Sequence, residues 1–114
     1  MRPSVSQSEQ ILARAFAAHK AGDIAQAEFF YKLVLQADKK QFDALHMLGV
    51  IEAQRGNFAA GLGRLKEALR IRPRAIDALI NLGRIQSGLG DHRNAEGNLQ
   101  KGARARSAVR ACAQ

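Results

Sequence analysis

The side chains of this chain that could do chemistry are few: three histidines, one cysteine and a surplus of arginine and lysine. His19, His46 and His92 fall in different stretches with no cysteine or carboxylate aligned beside them, and His92 with Glu96 is an ordinary pair one helical turn apart. The expected role of all three is a solvated or capping residue. Cys112 is alone, so the chain can form no internal disulfide and no thiolate cage for zinc, which fits a reducing compartment. Gly61-Leu62-Gly63 and Gly88-Leu89-Gly90 resemble phosphate loops only in composition; neither follows a strand or continues as a nucleotide motif. The expectation is therefore no enzyme, no catalytic residue, no metal and no cofactor.

Charge offers a second kind of chemistry. Residues 1–59 carry 7 basic and 6 acidic side chains, net +1, whereas residues 60–114 carry 11 and 4, net +7. Arg64, Lys66, Arg70, Arg72 and Arg74 form one dense group, and Lys101, Arg104, Arg106 and Arg110 another. Such a field attracts phosphate, so nucleic acid or another polyanion is an alternative partner. All aromatic residues, however, lie at or before Phe58, and the basic half offers no ring on which a base could stack. Protein or peptide is the expected partner ahead of nucleic acid. The segment Ile11–Ala18 is interrupted by Arg14 and lacks the apolar run of a signal peptide or membrane span, so no membrane partner and a cytoplasmic location are expected.

The elements that must position these groups follow from length and period. At 114 residues, 46% hydrophobic and 25% charged, the chain has the composition of one soluble domain. With two prolines and no tryptophan it favours helices over a turn-rich sandwich. Gly22-Asp23, Gly56-Asn57 and Gly90-Asp91 recur every 34 residues (56 − 22 and 90 − 56), each pairing a left-handed turn residue with a helix N-cap. The same shift superimposes Asp43-Ala44-Leu45, Leu48-Gly49, Ile51 and Gly56 on Asp77-Ala78-Leu79, Leu82-Gly83, Ile85 and Gly90. Small residues Ala27, Gly61 and Ala95 follow each turn, where antiparallel helices must approach closely. The pattern predicts helices over about 7–21, 24–37, 41–55, 58–72, 75–89 and from 92 onward, the first opened by the capping box Ser6-Gln7-Ser8-Glu9. Residues 1–5 are expected to be loose.

On Leu48-Gly49, Gly61, Leu65, Ala68-Leu69 and Pro73, with Leu82-Gly83, Ala95, Leu99, Ala15, Ala27 and Tyr31 in register, the chain resembles the tetratricopeptide repeat. Ile11, Leu45 and Leu79 stand where that family often has tryptophan, and Lys39 and Ser107 where the middle repeat has Pro73. The resemblance implies an all-α, right-handed superhelical array of three antiparallel helix pairs: repeats at 8–41, 42–75 and 76–107, after a loose segment and first cap at 1–7 and before a basic tail or helix extension at 108–114.

It also implies a concave face built from the first helix of each pair, with Leu12, Phe16, His46, Met47, Val50, Ile80, Asn81 and Arg84 as partner-binding residues. One subgroup of the family grips a chaperone's terminal carboxylate with lysine, asparagine and arginine. At the matching places stand Leu12, Phe16, Met47, Asp77 and Asn81; leucine and phenylalanine cannot hold a carboxylate, and Asp77 would repel one. The expected ligand is a peptide or helix with apolar anchors. Residues 43–49 and Asn81-Leu82-Gly83 are also similar to the repeats preceding the catalytic domain in bacterial O-GlcNAc-transferase-like proteins, so a segment of a larger glycosyltransferase-like protein is a further alternative. Finally, Ala105, Val109 and Cys112 form a narrow apolar stripe among arginines. That stripe predicts self-association, with the C-terminal region of one chain covering the open end or groove of another.

Overall fold

The computed structural model describes the backbone of residues 5–113 and the side chains of residues 6–107. Six helices follow one another: α1 Val5–Lys20, α2 Ile24–Ala37, α3 Phe42–Gln54, α4 Phe58–Ile71, α5 Ile76–Gly88 and α6 His92–Ala113. They form three antiparallel pairs, α1 with α2, α3 with α4 and α5 with α6, and each pair stacks on the next through α2 against α3 and α4 against α5. The radius of gyration is 14.8 Å, above the roughly 13 Å of a compact domain this long, as a stack open at both ends requires.

Within each pair the turn is the same device. Gly22, Gly56 and Gly90 take φ of +87°, +85° and +82°. In the first turn Asp23 N–H donates to Ala18 C=O at 2.9 Å and Gly22 N–H to His19 C=O at 3.1 Å, and the other two turns repeat this pattern five and three residues back. These bonds satisfy the last carbonyls of the helix, and only a residue that tolerates positive φ can hold them. The caps that follow are not equal. Asp23 accepts Gln26 N–H at 3.2 Å, Asp91 reaches Asn94 N–H only at 3.5 Å, and Asn57 makes no side-chain cap. The glycine, not the capping side chain, is what the three turns share.

Close helix approach is also realised. A Cβ on Gly61 would lie 2.7 Å from Gly49 C=O, so α3 and α4 touch backbone to backbone. Two apolar clusters fill the stack: Tyr31, Val34, Leu48 and Ile51 between the first two pairs, and Leu45, Leu65, Leu82 and Ile85 between the last two.

One expectation is corrected, at the N-terminal end. α1 already includes Val5, so residues 5–7 are helical and Ser6 lies inside the helix. A residue already inside the first turn no longer occupies the N-cap position from which a serine hydroxyl accepts the first free N–H groups. Residues 1–4, expected to be loose, lie outside the described residues. At the other end α6 does not stop where α2 and α4 do but continues to Ala113.

Candidate functional site

The first helices of successive pairs line one side of the array, and between α3 and α5 they leave a hollow. Its walls are Val50, Ala53, Gln54, Phe58, Asn81, Arg84 and Ile85. Three of the residues expected at the groove, Val50, Asn81 and Arg84, are thus brought together. Phe58 closes the end of the hollow: a Cβ on Gly88 would sit 2.9 Å from its ring. Sequence reasoning did not place Ala53, Gln54, Phe58 or Ile85 there. Phe58 could have been found from its position just after the turn, where the 34-residue shift sets it over Ile24 and His92.

The remaining expected residues do not share that hollow. His46 is buried at 7% exposure, which corrects its expected solvation. Asn81 Nδ2 donates to His46 Nε2 at 2.9 Å, and the imidazole lies against Phe42 with centroids 5.6 Å apart. The Arg72 guanidinium sits 4.5 Å over the same phenyl ring. Burial holds the His46 pKa below the ordinary histidine value against the opposing charges of Asp77 and Asp43. A neutral ring with a bare Nε2 is the form that can accept from Asn81. His46 is thus a tie between the second and third pairs, and half of the Asn81 amide's donor capacity is taken up by it.

Ile80 packs on α6: its Cγ1 would be 2.8 Å from a Cβ on Gly102. Leu12, in the same row of the repeat, lines a separate hollow with Ser8, Glu9, Val34, Ala37, Asp38 and Gln41. Met47 and Leu12 also pack partly into the first core cluster. Phe16 is 40% exposed, its ring set edge-on to Tyr31 at 5.9 Å. Tyr31 is fully buried, and burial first, with Asp43 second, pushes its pKa up to about 12.

Polar rungs inside the pairs were not foreseen. Arg64 Nε donates to Glu52 Oε1 at 3.2 Å, and 34 residues on Asn98 Nδ2 donates to Gln86 Oε1 at 2.6 Å. The same places in the first pair hold Ala18 and Phe30. The other oxygen of Glu52 is buried without a hydrogen-bond partner. Glu28 binds Lys32 one turn on along α2 and, across to the second pair, Arg55. The Lys32 hydrogen bond is the largest influence holding its carboxyl below the ordinary range.

The basic groups are divided. Arg64, Arg72 and Arg106 are engaged, the last with Asp77 Oδ1 at 3.5 Å. Lys66, Arg70, Arg74, Lys101 and Arg104 stay exposed, and the side chain of Arg110 lies outside the described residues. Among the described residues no three His, Cys, Asp or Glu side chains gather as metal ligands. No described helix is long and apolar enough to cross a membrane.

Solved structures carry the same arrangement. A crystal structure of MamA aligns with a TM-score of 0.79 and 17% identity over 90% of this chain and 60% of that one. A second MamA structure gives 0.76 and 17% over 88% and 55%. A MamA point mutant gives 0.77 and 18% over 87% and 72%. The chain therefore has the tetratricopeptide-type fold, an all-α, right-handed array of helix pairs. It spans between 55% and 72% of the length of these MamA chains. No family model matches the sequence, and no curated protein does.

Proposed function

We propose that the chain is a non-catalytic protein-interaction module that holds a peptide or helix by apolar anchors in the hollow between α3 and α5. The observation that carries this is the lining itself: Val50, Ala53, Phe58 and Ile85 give an apolar floor, and Gln54, Asn81 and Arg84 supply a polar rim. Amide and guanidinium groups can orient a peptide backbone, and an apolar floor can desolvate an inserted side chain. None of these seven side chains is a nucleophile or titrates near neutral pH, which supports binding over catalysis. The fold and a lone cysteine fit a cytoplasmic scaffold.

Val50→Glu tests this reading more cleanly than Met47→Glu, since Met47 belongs partly to the core. Peptides selected by display on the native chain should carry large apolar residues. They should lose about 30-fold in affinity for Val50→Glu, on the order of 2 kcal/mol, with the circular dichroism of the variant unchanged. Peptides that bind both chains equally would place the binding surface elsewhere.

A further inference from the structure

The stack contains three versions of one helix seat, and among the described residues two of them are filled. The second seat, built by α3 and α4, includes Phe58, Gly61, Leu62, Leu65 and Leu69, and it receives Ala78, Leu82 and Ile85 of α5. The first, built by α1 and α2, receives Ala44, Leu48 and Ile51 of α3. Shifting the second seat by 34 residues gives His92, Ala95, Glu96, Leu99 and Ala103, and these line an open hollow at the end of α5 and α6. Among the described residues nothing covers it, and Leu99 is 37% exposed. α6 runs on to Ala113, past the level where α2 and α4 end, so no described segment turns back onto the seat.

The helix face that fills a seat recurs once more. The residues of α1 equivalent to Ala44, Leu48 and Ile51 are Gln10, Arg14 and Ala17, all exposed at the opposite end of the stack. We propose that this face of α1 docks into the α5–α6 seat of a second copy of the chain, so that copies stack head to tail and continue the array.

The existing joints supply the register. Ile85 lies on Gly61, which sets Ala17 of the incoming copy on Ala95, small on small. Leu82 shares the second cluster with Leu65, which sets the aliphatic stem of Arg14 over Leu99 while its charge reaches water. In the first seat Glu28 binds Arg55. Its equivalent at the open end is Glu96, and the cation beside it comes from Lys20, one residue before the Arg55 equivalent and at the level where Gly88 meets Phe58.

Charge disfavours one alternative polarity, since two C-terminal ends would bring +7 against +7; the head-to-tail direction itself follows from the register of the existing joints. The contact differs from the one expected from the apolar stripe at Ala105, Val109 and Cys112, of which the last two side chains lie outside the described residues. It also lies apart from the α3–α5 hollow, so failure of either reading leaves the other standing.

A head-to-tail contact that does not close on itself gives open chains. Sedimentation velocity of the native protein with reductant should show a weight-average mass that rises from micromolar to near-millimolar concentration without a plateau at dimer. Ala17→Arg, on an exposed position, should leave a folded monomer. Lys20→Glu and Glu96→Lys should each weaken association about tenfold. Mixing those two variants should restore it in part, because each supplies the complement of the other, which a folding defect could not do. A native protein monomeric throughout, or a fixed dimer insensitive to all three substitutions, would overturn the proposal.

Discussion

Leu65 and Leu99 are the same residue at the same place in successive helix pairs, yet Leu65 is fully buried and Leu99 is 37% exposed. Tyr31, one repeat earlier, is also fully buried. Residue type does not account for this, since Leu65 and Leu99 are identical. What differs is the following pair: α3 covers Tyr31 and α5 covers Leu65, while Leu99 packs on Gly83 of its own pair and no described helix follows to cover it. In a stacked repeat, burial of the second helix is conferred by the following pair. The middle of this molecule is therefore a core, and its last pair is half of one.

The largest effect should come from cutting that comparison at its two leucines. Leu65→Ala removes a fully enclosed side chain and should cost about 3 kcal/mol, whereas Leu99→Ala should cost under about 1 kcal/mol. Urea unfolding of the native and variant chains measures both. Equal losses would mean that the end is as well packed as the middle.

Glycines sharpen the same contrast at somewhat smaller scale. A methyl group at Gly61 would meet Gly49 C=O at 2.7 Å, so Gly61→Ala must push the α3 and α4 backbones away from each other and should destabilise by about 2 kcal/mol. A methyl group at Gly97 would meet nothing within 4 Å, so Gly97→Ala should stabilise α6 by up to about 1 kcal/mol through helix propensity alone. Thermal melts of the two variants should move in opposite directions.

The polar rungs come next. Arg64→Ala leaves Glu52, only 13% exposed, without its cation. It should cost about 1.5 kcal/mol, less than a fully enclosed pair because Arg64 itself is 32% exposed. Transplanting the third pair's rung as Glu52→Gln with Arg64→Asn should recover most of that loss. A double variant worse than Arg64→Ala would show that the two rungs are not interchangeable.

The smallest effect is a pH dependence confined to the joint between the second and third pairs. Buried His46 takes up a proton less readily than it does in the unfolded chain, because its folded pKa is lowered from 6.5 by burial. Its contribution to stability is therefore complete above that value and is lost as the pH falls below it. The thermal midpoint of the native chain should decline from neutral pH toward pH 5 more steeply than that of His46→Gln. Parallel curves would remove His46 from the acid response.

The 34-residue period was fully legible because it is written in local chemistry. A glycine at positive φ, a small residue where two helices touch and apolar residues at helical spacing act within one turn or one pair, so the sequence alone determines helices, turns and order of pairs. The groove was only partly legible. Rows such as Leu12, His46 and Ile80 share a repeat position, but position does not say which neighbour claims the side chain. Arg72 over the Phe42 ring on one side and Asn81 on the other draw His46 inward, and Gly102 makes room for Ile80 against α6. The deciding groups lie 22 to 35 residues away in sequence, as with Ile80 and Gly102 or His46 and Asn81. Only the stacked structure brings such groups within contact distance, and so only the tertiary structure decided which apolar and polar residues face a partner, which tie the pairs together, and which seat was left open.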